Sequence, residues 1–453
     1  MTSQPPRLFV STGLAAALNP LNSTMIAVAL PLISTSFGVS SGALIHWLVT
    51  GYLVVTIVCQ TPGGKMGDLW GYNVTLSIGR WLFVAGTVAA VFSPSLPPLV
   101  AGRLLMAAGG ALLVPTTMAL IRIHVPPERR PIAFGRMSAV MAAAAAAGPA
   151  LGGVLIDAFG WQSVFLANLP ILAVSWWLER GIKLARSRGA ALDSRAPGFD
   201  WIGTGLLAAG LVTGLIGVRL PGTMTVGLLT AAVIFLGSFV FWERRVPEPV
   251  LDFRLFTRPR FAAGSLIVAT QNLAMYALIF QMPFLFADLS DLPQSAVGLS
   301  MLALTAGMVV FAPLGGRVAS VIGSRLTVVI GGLASMVGVA LLTDLAIWQS
   351  ASSVFVRLGL IGLGLGLSSG PTQAAAMGAV DSHESGMAAA AMSTTRYFGG
   401  IAGIAILSSL LPDVGAGEPI TKHVTAFWIF GASYGISVFL ALALPGKGEP
   451  SQF

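Results

Sequence analysis

Three arginines, Arg103, Arg357 and Arg396, stand inside long apolar runs of the chain. A guanidinium keeps its proton at any physiological pH, and in hydrocarbon it must face protein, a cavity or backbone carbonyls. Arg103 and Arg357 are 254 residues apart and each precedes a glycine-rich stretch, so they read as equivalent positions of a duplicated unit. Such a pair can present positive charge to an anionic or carboxylate-bearing molecule, or tune the transfer of a proton. The same residues also admit a structural reading, in which each arginine bonds helix-end carbonyls or reaches back to the membrane interface. Residue type and spacing leave both open.

Asn19, Asn22, Gln271, Asn272, Tyr276, Gln281, Thr372 and Gln373 also fall within apolar runs. A polar group there needs a partner, either a bound molecule or a neighbouring helix. Every Asp and Glu, by contrast, falls in a connection or near the end of a run, with Asp157, Asp288, Asp291, Asp344, Asp413 and Glu418 on the outer side. His46, His124, His383 and His423 are dispersed, lack metal-ligand spacing and read as interface or loop residues. No G-x-x-x-x-G-K-S/T loop and no convergent nucleophile and base occur, so the expectation is a protein that is not an enzyme and uses no cofactor or metal.

The elements that position these residues follow from composition. Of 453 residues, 55% are hydrophobic and only 9% charged, and mean hydropathy is +0.85. So little polar surface cannot coat a water-soluble globule of this size, which places the chain in lipid. Runs near residues 10–31, 43–62, 74–93, 98–121, 132–156 and 163–178 give six spans, runs near 201–218 and 223–242 two more, and runs near 261–286, 294–317, 325–346, 352–378, 385–411 and 424–445 a second six. Runs of about 18 to 25 residues are long enough to cross a hydrocarbon core of about 30 Å. The first run contains Asn19, Pro20 and Asn22 and lacks a small-residue cleavage pattern, so it reads as a span and not a removable signal. Alternation over about ten residues does not recur, which argues against a β-barrel. The expected fold is an all-α membrane protein with two pseudo-symmetric six-helix bundles, residues 1–180 and 261–453. Basic linkers and an inserted two-helix hairpin occupy residues 181–260.

The net charge of +8 is distributed unevenly. Arg122, Arg129, Arg130 and Arg136 cluster at one connection, Arg180, Lys183, Arg186, Arg188 and Arg195 at a second, and Arg244, Arg245, Arg254, Arg258 and Arg260 at a third. Connections of the other parity hold little beyond Arg219 and Lys422. This asymmetry places the basic connections and both termini in the cytoplasm, and it explains the charge without nucleic acid. The single cysteine, Cys59, lies in an apolar run and excludes a disulfide within the chain.

The stretch Gly63-Gly64-Lys65-Met66-Gly67-Asp68-Leu69-Trp70-Gly71, with Thr75 and Gly79, returns as Gly315-Gly316-Arg317-Val318-Ala319-Ser320-Val321-Ile322-Gly323, with Thr327 and Gly331. Repeated membrane halves mark transporters that work by alternating access. Gly64, Asp68 and Gly71 resemble the G-x-x-x-D-R/K-x-G-R/K-R/K loop of the major facilitator superfamily. Gly135, Gly148-Pro149 and Gly152-Gly153 are similar to its antiporter pattern, with Ala144 replacing one glycine. Arg103, Gly109 and Ala111 resemble its fourth span. Trp47, Thr50 and Tyr52 resemble the second, Trp161, Phe165, Asn168 and Pro170 the sixth, and Thr395-Arg396 with Gly399-Gly400 the eleventh core helix.

The narrower resemblance is to the fourteen-span drug:proton antiporter branch. It implies export of an amphipathic drug or metabolite from the bacterial cytoplasm, coupled to protons, by a monomer in the cytoplasmic membrane. Asp68 would cap a helix start, and the Gly148-Pro149 region would bias conformations. The first and fourth helices of each half would line the path, which makes Asn19, Asn22, Tyr52, Arg103, Gln271, Asn272, Tyr276, Gln281, Arg357, Thr372, Gln373 and Arg396 the candidates for substrate or coupling ion. Leu69, Tyr72 and Asn73 stand where the family has basic residues, and Asn22 where the branch has an Asp. The missing charge points to neutral or anionic substrates over lipophilic dications. A uniporter, an importer, a lipid transporter or a non-transporting sensor of the same fold remains open on these residues.

Overall fold

A chain in lipid must satisfy every backbone N–H and C=O internally, and helices do so within one segment. The structure, a computed structural model, describes residues 6–125, 130–180, 200–218, 222–246, 249–289, 292–344, 351–380, 385–410 and 420–447. The helices are α1 (Pro6–Phe37), α2 (Ser41–Leu44), α3 (Gly51–Trp70), α4 (Tyr72–Val91), α5 (Leu96–His124), α6 (Arg130–Phe159), α7 (Ser163–Leu166), α8 (Asn168–Glu179), α9 (Trp201–Gly217) and α10 (Thr223–Glu243). They continue with α11 (Pro259–Leu289), α12 (Gln294–Ile322), α13 (Ser324–Leu341), α14 (Ala351–Met377), α15 (Ser385–Leu410) and α16 (Ile420–Ala441). A π-helical turn, Ile45–Thr50, joins α2 to α3, and a 3-10 turn, Phe253–Thr257, precedes α11. With α2 running through the π-turn into α3, and α7 meeting α8 at Ala167, these helices make fourteen rods, in the order the apolar runs predict. No strand occurs among the described residues. Among the described residues, eleven rods are long and apolar enough to cross a membrane, while the run from Ser163 to Glu179 and α9 are apolar but shorter.

The duplicated stretch has the same backbone in both copies. Gly71 ends α3 at φ 90°, and Gly323 ends α12 at φ 89°. Only glycine adopts this conformation without a steric penalty, so both copies break one helix and start the next at the same place. Four residues on, the hydroxyls of Thr75 and Thr327 donate to the carbonyls of Gly71 and Gly323, at 3.2 and 2.8 Å. After the second copy, Arg325 donates through Nε to Leu444 O at 2.9 Å and through its backbone N–H to Pro445 O at 3.1 Å, which ties the segment after α16 to this turn.

The chain forms two compact units. The first comprises Met1–Ser23, Trp47–Ala145 and Gln162–Val250, the second Thr24–His46, Ala146–Trp161 and Leu251–Phe453. Glycines set the closest helix approaches within each. In the first unit, α4 and α5 meet at Gly79 with Gly109 and at Gly86 with Gly102, where an added methyl would strike the facing backbone. In the second, α13 and α14 meet in the same way at Gly331 and Gly364. The hairpin α9–α10 belongs to the first unit, where Asp200 Oδ1 accepts from Gly203 N at 2.8 Å and from Trp242 Nε1 at 2.9 Å. Such backbone proximity is the usual packing solution in lipid, where apolar contact between helices brings no gain over contact with acyl chains.

Candidate functional site

In the first unit, α1, α3 and the π-turn converge on Arg103 of α5. Its side chain on α5 is fully buried. Nε and Nη2 each donate to Leu48 O at 3.3 Å, and Nη1 donates to Asn22 O at 3.4 Å. Leu48 lies in the π-turn, whose wider winding re-aims carbonyls out of the ordinary ladder. The guanidinium also sits over the Tyr52 ring, 4.2 Å from its centroid. Three of the five N–H groups of the arginine are thereby used. Its charge faces carbonyl dipoles and a π-face, and among the described residues no carboxylate is its partner.

The hydroxyl of Tyr52 donates to Asn19 Oδ1 in a short hydrogen bond, and Asn19 packs on Gly110 of α5. One turn further along α1, Asn22 Oδ1 lies 3.5 Å from Asn168 Nδ2, which also donates to Phe165 O at 2.9 Å. Both side chains are fully buried or nearly so, yet Asn22 Nδ2 and Asn168 Oδ1 have no hydrogen-bond partner. A buried donor and a buried acceptor are thus left open beside an arginine and a tyrosine. This arrangement can recognise a polar molecule and carries net positive charge.

The second unit holds a different set. Ser368 on α14 donates to Gln271 Oε1 on α11 at 3.2 Å, and Thr372 bonds back to Ser368 O at 2.7 Å. Gln271 Nε2 is buried without a partner. Asn272 returns to Val268 O of its own helix at 2.8 Å, and Tyr276 stacks against Gly400. Gln281 is buried, donates through Nε2 to His423 O at 3.2 Å, and has the same nitrogen 3.3 Å from His423 Nδ1. Arg357 donates to Ser353 O, one turn back on its own helix, at 2.9 Å. Arg103 and Arg357, equivalent by repeat, therefore bond differently, the first to other helices and the second to its own. Gln373 and Arg396 are exposed.

Sequence reasoning missed two buried groups in this region. Arg80 on α4 is buried and paired with Glu179 at the end of α8; its Nη2 also donates to Ser175 Oγ at 3.3 Å. Ser11 and Ser175 exchange hydroxyl-to-carbonyl bonds of 2.7 and 2.9 Å beside it, which joins α1, α4 and α8. The signal was present, since Arg80 falls inside the run 74–93. His423 and His46 are also buried, each near the start of its rod.

Of the conformational motifs, the surroundings of Gly64 and the side chain of Asp68 lie outside what the structure describes, and the backbone of both is helical within α3. In α6, Gly152 packs on Met25 and Val28 of α1. Gly153 meets the backbone of Gln294 and Ser295, and a methyl on Gly298 would strike Pro149 O. Thr305 donates to Ala146 O at 2.9 Å, which completes a seam between α6 and α12.

Residues 12–404 match the Major Facilitator Superfamily, most of the length just described. The chain belongs to that superfamily. It is 34% identical over 441 residues to an uncharacterised transporter of this type, YvkA of Bacillus subtilis, covering 96% of this chain and 95% of that protein. It is 31% identical to the tetracenomycin C resistance and export protein of Streptomyces glaucescens, covering 86% of this chain and 73% of that one. The fold is similar to that of a D-xylose-proton symporter, with a TM-score of 0.70 over 98% of both chains at 14% identity. It is a multi-pass membrane transporter, and not an enzyme.

Proposed function

We propose that this protein exports an amphipathic small molecule, a drug or a metabolite, across the bacterial cytoplasmic membrane by alternating access, with protons as counter-ion. It works as a monomer on the fourteen-span antiporter plan, with both termini cytoplasmic and residues 1–180 and 261–453 as the two repeats. The observation that carries this reading is the similarity, over most of the chain, to a protein named for resistance and export. The antiporter-like glycines of α6, which pack on α1 and α12, support the same direction of transport.

Neutral or anionic substrates are preferred over lipophilic dications. Every described carboxylate, namely Asp157, Glu179, Asp200, Glu243, Asp252 and Asp344, is at a helix end or in a connection, while the buried cluster in the first unit is built on Arg103. A fixed positive charge repels a cation and attracts a carboxylate.

The test is transport in inverted vesicles with a panel of neutral, anionic and dicationic compounds, with and without an ionophore that collapses the proton gradient. Accumulation of neutral or anionic compounds that the ionophore abolishes is expected. Strong transport of dications, unaffected by Arg103→Ala, overturns the substrate class, and transport indifferent to the gradient overturns the coupling.

A further inference from the structure

Helix α12 begins without a cap of its own. Its N-cap is Pro293, which has no side-chain acceptor, so the first N–H groups of the helix must find oxygens elsewhere. They find them on a residue 137 positions earlier: Asp157 Oδ1 accepts from Gln294 N at 3.0 Å, and Oδ2 from Ser295 N at 2.9 Å. Both oxygens of one carboxylate are thus spent on a helix start, where negative charge also meets the positive end of the helix dipole.

This bond lies at the end of the α6–α12 seam. From Thr305 on Ala146, through Gly298 on Pro149 and Gly153 on Gln294, the two helices touch along about three turns, and Asp157 closes the row. The seam lies wholly in the second unit, although α6 starts in the first. The boundary falls between Ala145 and Ala146, four residues before Pro149. Proline cannot donate to the carbonyl four residues back, so the helical ladder is interrupted where α6 passes from one unit to the other. Helix α1 crosses at Ser23–Thr24, three residues after Pro20, and it packs on Gly152. The Asp157 end of α6, with α1 packed on it, can therefore leave the seam by bending near Pro149 and Pro20.

We infer that Asp157 is the latch of this seam: by capping α12 it sets how often the Asp157 end of α6, with α1 packed on it, parts from α12, and so it is a positioning residue for transport. The inference rests on the alternating-access reading, and it predicts a defect in cycling and not in affinity.

The test uses the full chain in lipid nanodiscs with Cys59→Ser and the reporter Met301→Cys. Met301 is buried on α12, on the helix face between Gly298 and Thr305. Its rate of reaction with a water-soluble methanethiosulfonate reads seam opening whether or not substrate moves. Asp157→Asn is expected to raise that rate about 2- to 10-fold, the range for an exposed charged cap. Ser295→Pro attacks the same bond from the other side, since proline is tolerated in a first helical turn, and it should raise the rate similarly without adding to Asp157→Asn. High salt should raise the wild-type rate toward that of the variants.

Unchanged labelling in Asp157→Asn beside a raised rate in Gly298→Ala overturns the latch, because the second variant shows that the reporter responds. An equal rise in Asp344→Asn, at the end of α13, overturns it as well, since bulk charge would then be responsible. Labelling that shifts in a protein that moves no substrate in proteoliposomes keeps the latch and refutes the exporter reading instead.

Discussion

Arg103→Lys separates the two things Arg103 can do. The substitution keeps the positive charge and removes the planar fork. Arginine reaches Leu48 O through two nitrogens and Asn22 O through a third, and lies on Tyr52. An ammonium on a shorter reach retains at most one of those carbonyls. At 3.3–3.4 Å the bonds are long, so each is taken at the lower range of about 0.5–1.5 kcal/mol, and a buried cation–π contact adds about 1–2 kcal/mol. Arg103→Lys should therefore cost about 1–3 kcal/mol, and Arg103→Ala more, since it also leaves a cavity. The assay pairs thermal unfolding in nanodiscs with vesicle transport of a neutral and an anionic compound. Expected is a lower unfolding midpoint for both variants, with preference for the anion kept in Arg103→Lys and lost in Arg103→Ala. Wild-type midpoints in both variants refute the pinning of α1 and the π-turn by this arginine. Lost preference in Arg103→Lys refutes recognition by charge.

Three further outcomes follow from the same geometry. Gly298→Ala drives a methyl into Pro149 O, so it should destabilise by about 1–3 kcal/mol and depress transport, measured by unfolding and by flux. Glu179→Ala leaves the Arg80 guanidinium buried and unpaired, at a cost of about 3–5 kcal/mol; the double variant Arg80→Leu, Glu179→Leu should cost less, which a double-mutant cycle of unfolding checks. Asn22→Asp places a carboxylate beside the Arg103 cluster and should raise cation transport relative to anion transport in inverted vesicles; an unchanged ratio refutes the charge argument.

Much of the scaffold was legible because hydrocarbon constrains it so strongly. Run length gave fourteen rods, and the copy at Gly315–Gly323 repeats Gly63–Gly71 down to the positive-φ glycine and the threonine four residues on. The site was less legible. Hydropathy marks a charge in a run but not the face it occupies, so Arg357 and Arg396 look like Arg103 in the sequence although only Arg103 bonds to other helices. Its partners are backbone carbonyls, one re-aimed by a π-turn, and carbonyl direction leaves no trace in residue type. The crossing of α1 and α6 between units was hidden for a related reason. Duplication divides the chain by sequence, whereas contacts at one end of each helix depend on side chains as remote as Asp157 and Ser295.

The α9–α10 hairpin carries its own fastener. Asp200 accepts from Gly203 and Trp242, and Thr213 bonds back within α9, so these polar ties begin and end inside the insert. A segment fastened to itself in this way resembles a cassette, since none of these three bonds reaches the Arg103 cluster.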